Sequence, residues 1–178
     1  LSANGVLAPF LVRTAVGTFF TGSGFTVDKA AIANPASPAI STWQSPWHGL
    51  EALGQYHAIL LGGTLVFLVG ILGDLYILNN VDDDKIHAQM RRSVKLSIGP
   101  FLLFFLGWVA ILLTCKGYAV DANGVVFLEP YKYLHNLLAM PVVLVMLLVG
   151  VVLVLYSSWL GAFTSSRKGI WFAMPGTV

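Results

Sequence analysis

The sequence predicts an all-α integral membrane protein, three transmembrane helices preceded by an extended N-terminal arm, on three observations. Of its 178 residues 57% are hydrophobic and only 10% charged, whereas soluble domains carry about a quarter charged residues. Acidic and basic side chains are absent over three long stretches, between Glu51 and Asp74, Lys95 and Lys116, and Lys132 and Arg167. Each is long enough for the roughly 20 helical residues that cross about 30 Å of hydrocarbon. None shows period-two alternation, and only helices or closed barrels satisfy the backbone inside lipid. The spans are therefore expected at about 53–78, 94–115 and 133–160.

Residues 1–50 read differently. Gly, Ser, Thr, Pro and Asn punctuate them, with NPASP at 34–38 and SPW at 45–47, which are turn and breaker signals. They form the extended arm, in which VLAPFLVRTAVGTFF, interrupted by Arg13, makes at most a short interfacial helix. The membrane domain follows over 51–163. In its first span Gly54, Ala58 and Gly62 repeat at four-residue spacing, with Gly63, Gly70 and Gly73 as further small positions, the pattern that lets helices or flat rings approach a backbone. The second span holds Pro100 and Trp108. The third holds Pro141 and is nearly all Val and Leu after Asn136, so it should face lipid or other hydrophobic subunits. Residues 164–178 form a C-terminal tail. Lys85, Arg91, Arg92, Lys95, Arg167 and Lys168 flank one side of the spans, against Arg13, Lys29, Lys116 and Lys132 on the other. The bias puts the DDDK loop and the tail on the cytoplasmic or stromal side and the N-terminal arm on the outer or lumenal side. The chain starts at Leu1 without an initiator Met, which suggests a processed N-terminus.

A net charge of +2 spread over loops offers no nucleic-acid groove, and partners are expected in the membrane: lipids and other subunits. The single Cys115 excludes an intrachain disulfide and a cysteine-built zinc or iron–sulfur site within this chain. Neither a nucleophile–base pair, nor a phosphate loop, nor a zinc motif is present. The chain is therefore expected not to be an enzyme by itself, and no catalytic residue is assigned.

The candidate chemistry lies in histidines at span entrances. His57 opens the first span and His135 the third, and odd-numbered spans run in the same direction, so both imidazoles should arrive at one depth. Two such rings can share one haem iron, or each can ligate a separate porphyrin-type metal such as chlorophyll magnesium; interfacial anchoring is the alternative for both. His48 and Glu51 lie just ahead of His57, where a carboxylate can ligate a hard cation or sit at the positive end of a helix dipole. Asp74, late in the first span, is expected to pair with Lys95 across the membrane interface. DDDK at 82–85 with the IHAQMRR after it reads as a solvated loop whose acids can also cap the second helix, and His87 reads as an ordinary loop residue.

Two resemblances attach to these residues. His57 followed by AILLGG, DDDKIH ending at His87, FLLFFLG, and VVFLEPYKYLH ending at His135 are similar in order and spacing to a little-characterised multi-span family of chloroplasts and cyanobacteria. SPWHGLEALGQYH at 45–57 resembles the segment of the photosystem I subunit XI family in which a Glu and a His ligate chlorophyll. That likeness implies a chlorophyll site at Glu51 and His57, although the interval between them is one residue longer here.

Together these point to a non-catalytic accessory subunit of photosystem I in the chloroplast thylakoid. It would position chlorophyll, with carotenoids as possible neighbours, through His57, His135 or Glu51. The alternatives are a b-type cytochrome subunit of a quinone-linked complex with His57 and His135 as haem b ligands, and a structural membrane subunit without cofactor.

Overall fold

The computed structural model describes residues 2–21, 24–28, 40–47, 53–121 and 124–177. Its elements are α1 (Ser2–Thr21), β1 (Phe25–Val27), β2 (Ser41–Trp43), α2 (Tyr56–Asn80), α3 (Asp84–Thr114), β3 (Gly117–Val120), β4 (Val126–Glu129), α4 (Lys132–Ala139), α5 (Pro141–Phe163) and α6 (Gly169–Thr177). Three of the helices, α2, α3 and α5, are long and apolar enough to cross a membrane. The all-α membrane fold is the one the sequence predicts. The chain divides into two units, residues 1–62 and 63–178, and each is described by itself.

In the first unit, much of the stretch read as an extended arm is ordered structure. α1 runs for 20 residues with Pro9 inside it. Gly5, Pro9 and Gly17 are poor helix formers, but Ala, Val, Leu and Phe between them keep the helix going. Ser41–Trp43 pairs antiparallel with Phe25–Val27 in the register Phe25↔Trp43, Thr26↔Thr42, Val27↔Ser41. The pair is held by Thr26–Thr42 hydroxyl contact at 2.9 Å and an edge-on Phe25–Trp43 ring contact.

In the second unit, α3 begins ten residues ahead of the expected span, at Asp84 rather than 94, because the DDDK loop is its cap. Asp83 is the N-cap: its Oδ1 accepts from the Lys85 and Ile86 amides at 2.8 and 3.0 Å, two donors that the first turn cannot satisfy internally. Asp84 adds a first-turn negative charge, and Asp82 pairs with Arg167. Three adjacent aspartates thus take three separate tasks.

The third expected span, 133–160, is two helices. Met140 adopts φ −118°, ψ 73° ahead of Pro141, the first residue of α5. The residue before a proline is pushed out of the α region, so α4 stops and α5 starts afresh with proline where its missing N–H costs nothing. His135 sits on the short α4, and the parity argument that set its depth does not apply to it.

The stretch read as a tail carries α6, which returns along α5. The contact is built from glycines: a Cβ on Gly176 would lie 2.9 Å from the Gly150 carbonyl oxygen and 3.1 Å from the Val154 amide, and one on Gly150 would lie 3.0 Å from the Gly176 oxygen. Backbone touches backbone here. Ser157, Ser158, Gly161 and Ala162 of α5 and Gly169 and Ala173 of α6 are all buried, and the two serine hydroxyls donate to the Val154 carbonyl. Around this seam gather Ile71, Leu75, Leu78, Val94 and Phe101. Of the small residues of the first span only Gly63 is closely approached in this unit, by the Phe104 ring; Gly70 and Gly73 face open space. The first half of α5 is exposed, including Val142, Val145, Met146 and Val152, as its Val and Leu composition predicts.

Replacing Gly176 with Ala should therefore cost about 1–3 kcal/mol by forcing two backbones apart, whereas Gly70→Ala should cost nothing. Thermal unfolding of the two variants in detergent checks the contrast.

Candidate functional site

The side chains that carry chemistry fall at helix ends. His57 is the second residue of α2. Its ring lies 4.0 Å from that of Tyr56, tilted by 58°, and its Nδ1 is buried with no hydrogen-bond partner among the described residues. A buried ring nitrogen without a partner is costly, so this atom is available to a metal or to a donor from another chain. Glu51 and His48 lie outside the described residues.

His135 is built into a clasp by the turn before it. Pro130 and Tyr131 end β4, and Tyr131 takes the left-handed conformation, φ 56°, which bulky residues rarely adopt. That bend reverses the chain so that α4 folds back over Glu129. Lys132 Nζ donates to Glu129 Oε2 at 2.8 Å and His135 Nδ1 donates to Glu129 Oε1 at 2.8 Å. The His135 ring is 56% exposed, so its Nε2 remains free. Hydrogen bonds from Lys132 first and His135 second hold the Glu129 carboxyl below the ordinary glutamate range. A carboxylate on one imidazole nitrogen is the arrangement that orients many metal-binding histidines. It also suffices as a loop anchor.

Asp74 and Lys95 do not pair. Lys95 Nζ lies over the Phe163 ring, 5.1 Å from its centre, a cation–π contact. Asp74 instead accepts a hydrogen bond from Ser93, with its Oδ2 buried and unpartnered among the described residues. His87 is not a loop residue: it is buried in the first turn of α3 and its Nε2 donates to the Val81 carbonyl at 2.5 Å. Nearby, the Arg91 guanidinium donates to the Gly161 carbonyl at 2.9 Å and to the Thr164 carbonyl, closing the C-terminus of α5.

Two of these groups, Glu129 and Arg91, escape sequence reasoning. The spacing of Glu129 three residues before Lys132 and six before His135 is a usable signal, since a turn between them brings all three together. Arg91 gives none, because its partners are backbone carbonyls 70 and 73 residues away. Among the described residues no group of three or more His, Cys, Asp or Glu is placed to hold a metal ion.

Residues 1–178 match the family described as cytochrome bd terminal oxidase subunit II. The chain belongs to that family. No curated protein and no solved structure matches it. The membership overturns the photosystem I and chloroplast resemblances, and with them the thylakoid location, chlorophyll and carotenoids. The likeness at SPWHGLEALGQYH rested on a Ser-Pro, a Gly-Leu-Glu and a His within one short segment, while the family match runs through the whole chain. It also corrects the expectation that the chain is not an enzyme: the family to which it belongs is that of a subunit of a terminal oxidase, a catalytic complex.

The Glu129 clasp gives subunit II a signed pH response. The folded carboxyl binds its proton less readily than the unfolded one, so its contribution is fully present above the ordinary glutamate range. It is lost as pH falls through the lower folded value. Amide hydrogen exchange across β3 and β4 should stay slow down to that range and rise below it, and Glu129→Gln should abolish the acid-side step.

Proposed function

We propose that this chain is an integral membrane subunit of a haem-containing, quinol-linked respiratory oxidase complex, with its apolar spans packed against partner subunits. The match to the subunit II family over residues 1–178 carries the reading. The exposed first half of α5 and the length of α2, α3 and α5 support a chain embedded in lipid among other subunits. This replaces the photosystem reading and takes up its alternative.

Haem, when bound, supplies one-electron redox chemistry tuned by its axial ligands. The donor set fits it at two places, each considered alone. His57 offers a buried nitrogen with no partner among the described residues, and Tyr56 lies against its ring. His135 offers Nε2 while Glu129 holds its Nδ1 proton, which fixes the tautomer and the orientation of the ring. These two are the residues proposed to face haem iron.

A second reading is favoured by the half-exposed ring of His135. In it the clasp is an anchor, and the chain is a membrane partner of a haem-bearing subunit.

The test is the reduced-minus-oxidised spectrum and pyridine haemochrome content of the purified complex carrying His57→Ala or His135→Ala. Loss of one b-type haem per complex is expected for a ligand. Unchanged haem in both variants would sink the ligand assignment and leave the partner reading. Absence of haem from the intact complex would overturn the oxidase reading itself.

A further inference from the structure

The β3–β4 hairpin presents an apolar face that none of the described residues of its own unit covers. In its register Tyr118 stands opposite Leu128 and Val120 opposite Val126, and directly opposed residues of an antiparallel pair share one face. All four are exposed: Tyr118 by 78%, Val120 by 65%, Val126 by 59% and Leu128 by 55%. The other face is covered along β3, for Gly117 and Ala119 are buried and a Cβ on Gly117 would lie 2.8 Å from the Lys132 Cβ of α4, while Phe127 opposite Ala119 stays exposed. A two-stranded hairpin is marginal in water. One that turns four apolar side chains outward needs an apolar surface to lie on.

Its position says which surface. Only Cys115 and Lys116 separate the hairpin from the end of the α3 span. On its other side it is tied through α4 to the start of α5, another span. Both anchors fix it at the depth where hydrocarbon gives way to headgroups. Tyr118 is a residue type enriched in that layer, and the exposed Lys116 at the base suits lipid phosphates. Toward the tip, Asp121 Oδ1 accepts from the Val125 amide.

We propose that the outer face of this hairpin, Tyr118, Val120, Val126 and Leu128, lies against the lipid bilayer at the headgroup boundary, as an interfacial collar joining α3 to α5. The collar makes the clasp of Glu129, Lys132 and His135 a device that holds the hairpin down on the membrane. It does not depend on whether the chain holds haem.

The experiment uses the intact complex in lipid nanodiscs. Nitroxide labels go on Val120→Cys and Val126→Cys in a Cys115→Ser background, and collision with oxygen, which concentrates in lipid, is compared with collision with a water-soluble nickel chelate. Oxygen collisions should exceed those of the chelate severalfold at both positions. Dominance of the chelate would place the face in water, and protection from both reagents would place it against another subunit; either overturns the proposal. In the unsubstituted complex, a lipid-borne carbene should label the peptides containing Tyr118 and Leu128 while hydroxyl radicals spare them. The reverse pattern, or protection from both reagents, counts against the proposal independently of any variant.

Discussion

Inside hydrocarbon there is no water to pair with a backbone N–H or C=O, and the architecture of this chain follows from that constraint. Helix interiors meet it without help, which is why α2, α3 and α5 each carry a long apolar window, with the charges of α3 confined to its first turns. Helix ends cannot, because the first donors and last acceptors have no partner within the helix. The charged and polar side chains of the second unit accordingly gather at those ends. Asp83 takes the first amides of α3, Arg91 takes the last carbonyls of α5, and His87 takes the Val81 carbonyl just beyond α2. A guanidinium is well suited to its task, since it offers several donors in a fixed fork and stays charged at all relevant pH. It also lies at the negative end of the α5 dipole.

The same constraint explains the glycine seam. Lipid removes the hydrophobic drive for helices to associate, so association rests on packing and weak polar contacts. Gly150 and Gly176 bring α5 and α6 close enough for backbone atoms to meet, and Ser157 and Ser158 direct their hydroxyls inward to Val154 rather than into lipid. The end of α5 that carries this seam is the end that Arg91 closes. Packing and capping reinforce each other at one place, and the opposite half of α5 stays bare for lipid or a partner.

Much of this was legible in the residues themselves. Charge-free runs announced the spans, and DDDK announced the α3 cap, because both signals are local. The limits of the reading were also physical. Met140 and Pro141 lie within an unbroken apolar run, so hydropathy merged α4 with α5, although proline is itself a marker of a new start. Asp74 and Lys95 looked like partners by sign and by side, but Ser93 and Phe163 lie closer to them, and only packing reveals that. The glycines of the first span looked like the packing face, and Gly63 does meet Phe104, but the backbone-to-backbone glycine contact lies between α5 and α6, which was read as a tail. Glu51 lies outside the described residues; His57 does stand at the start of α2, His135 sits on α4 and not at the mouth of a span, and the role of both toward haem is a proposal.

The helix break at Met140 links these features to function. Had α4 and α5 been one helix, His135 would have entered the membrane with the span and its ring would have faced lipid or a neighbouring helix. The break frees α4 to turn back, and Tyr131 in the left-handed region completes the reversal that sets His135 and Lys132 on one carboxylate. Left-handed backbone at a tyrosine costs about 1–2 kcal/mol, a strain that persists only where its surroundings hold it in place. What the strain secures is a loop with its polar groups gathered inward on Glu129 and its apolar side chains turned outward on β3 and β4. In a subunit of a membrane oxidase complex, that division sorts the loop's surfaces between its own clasp and the boundary on which it rests.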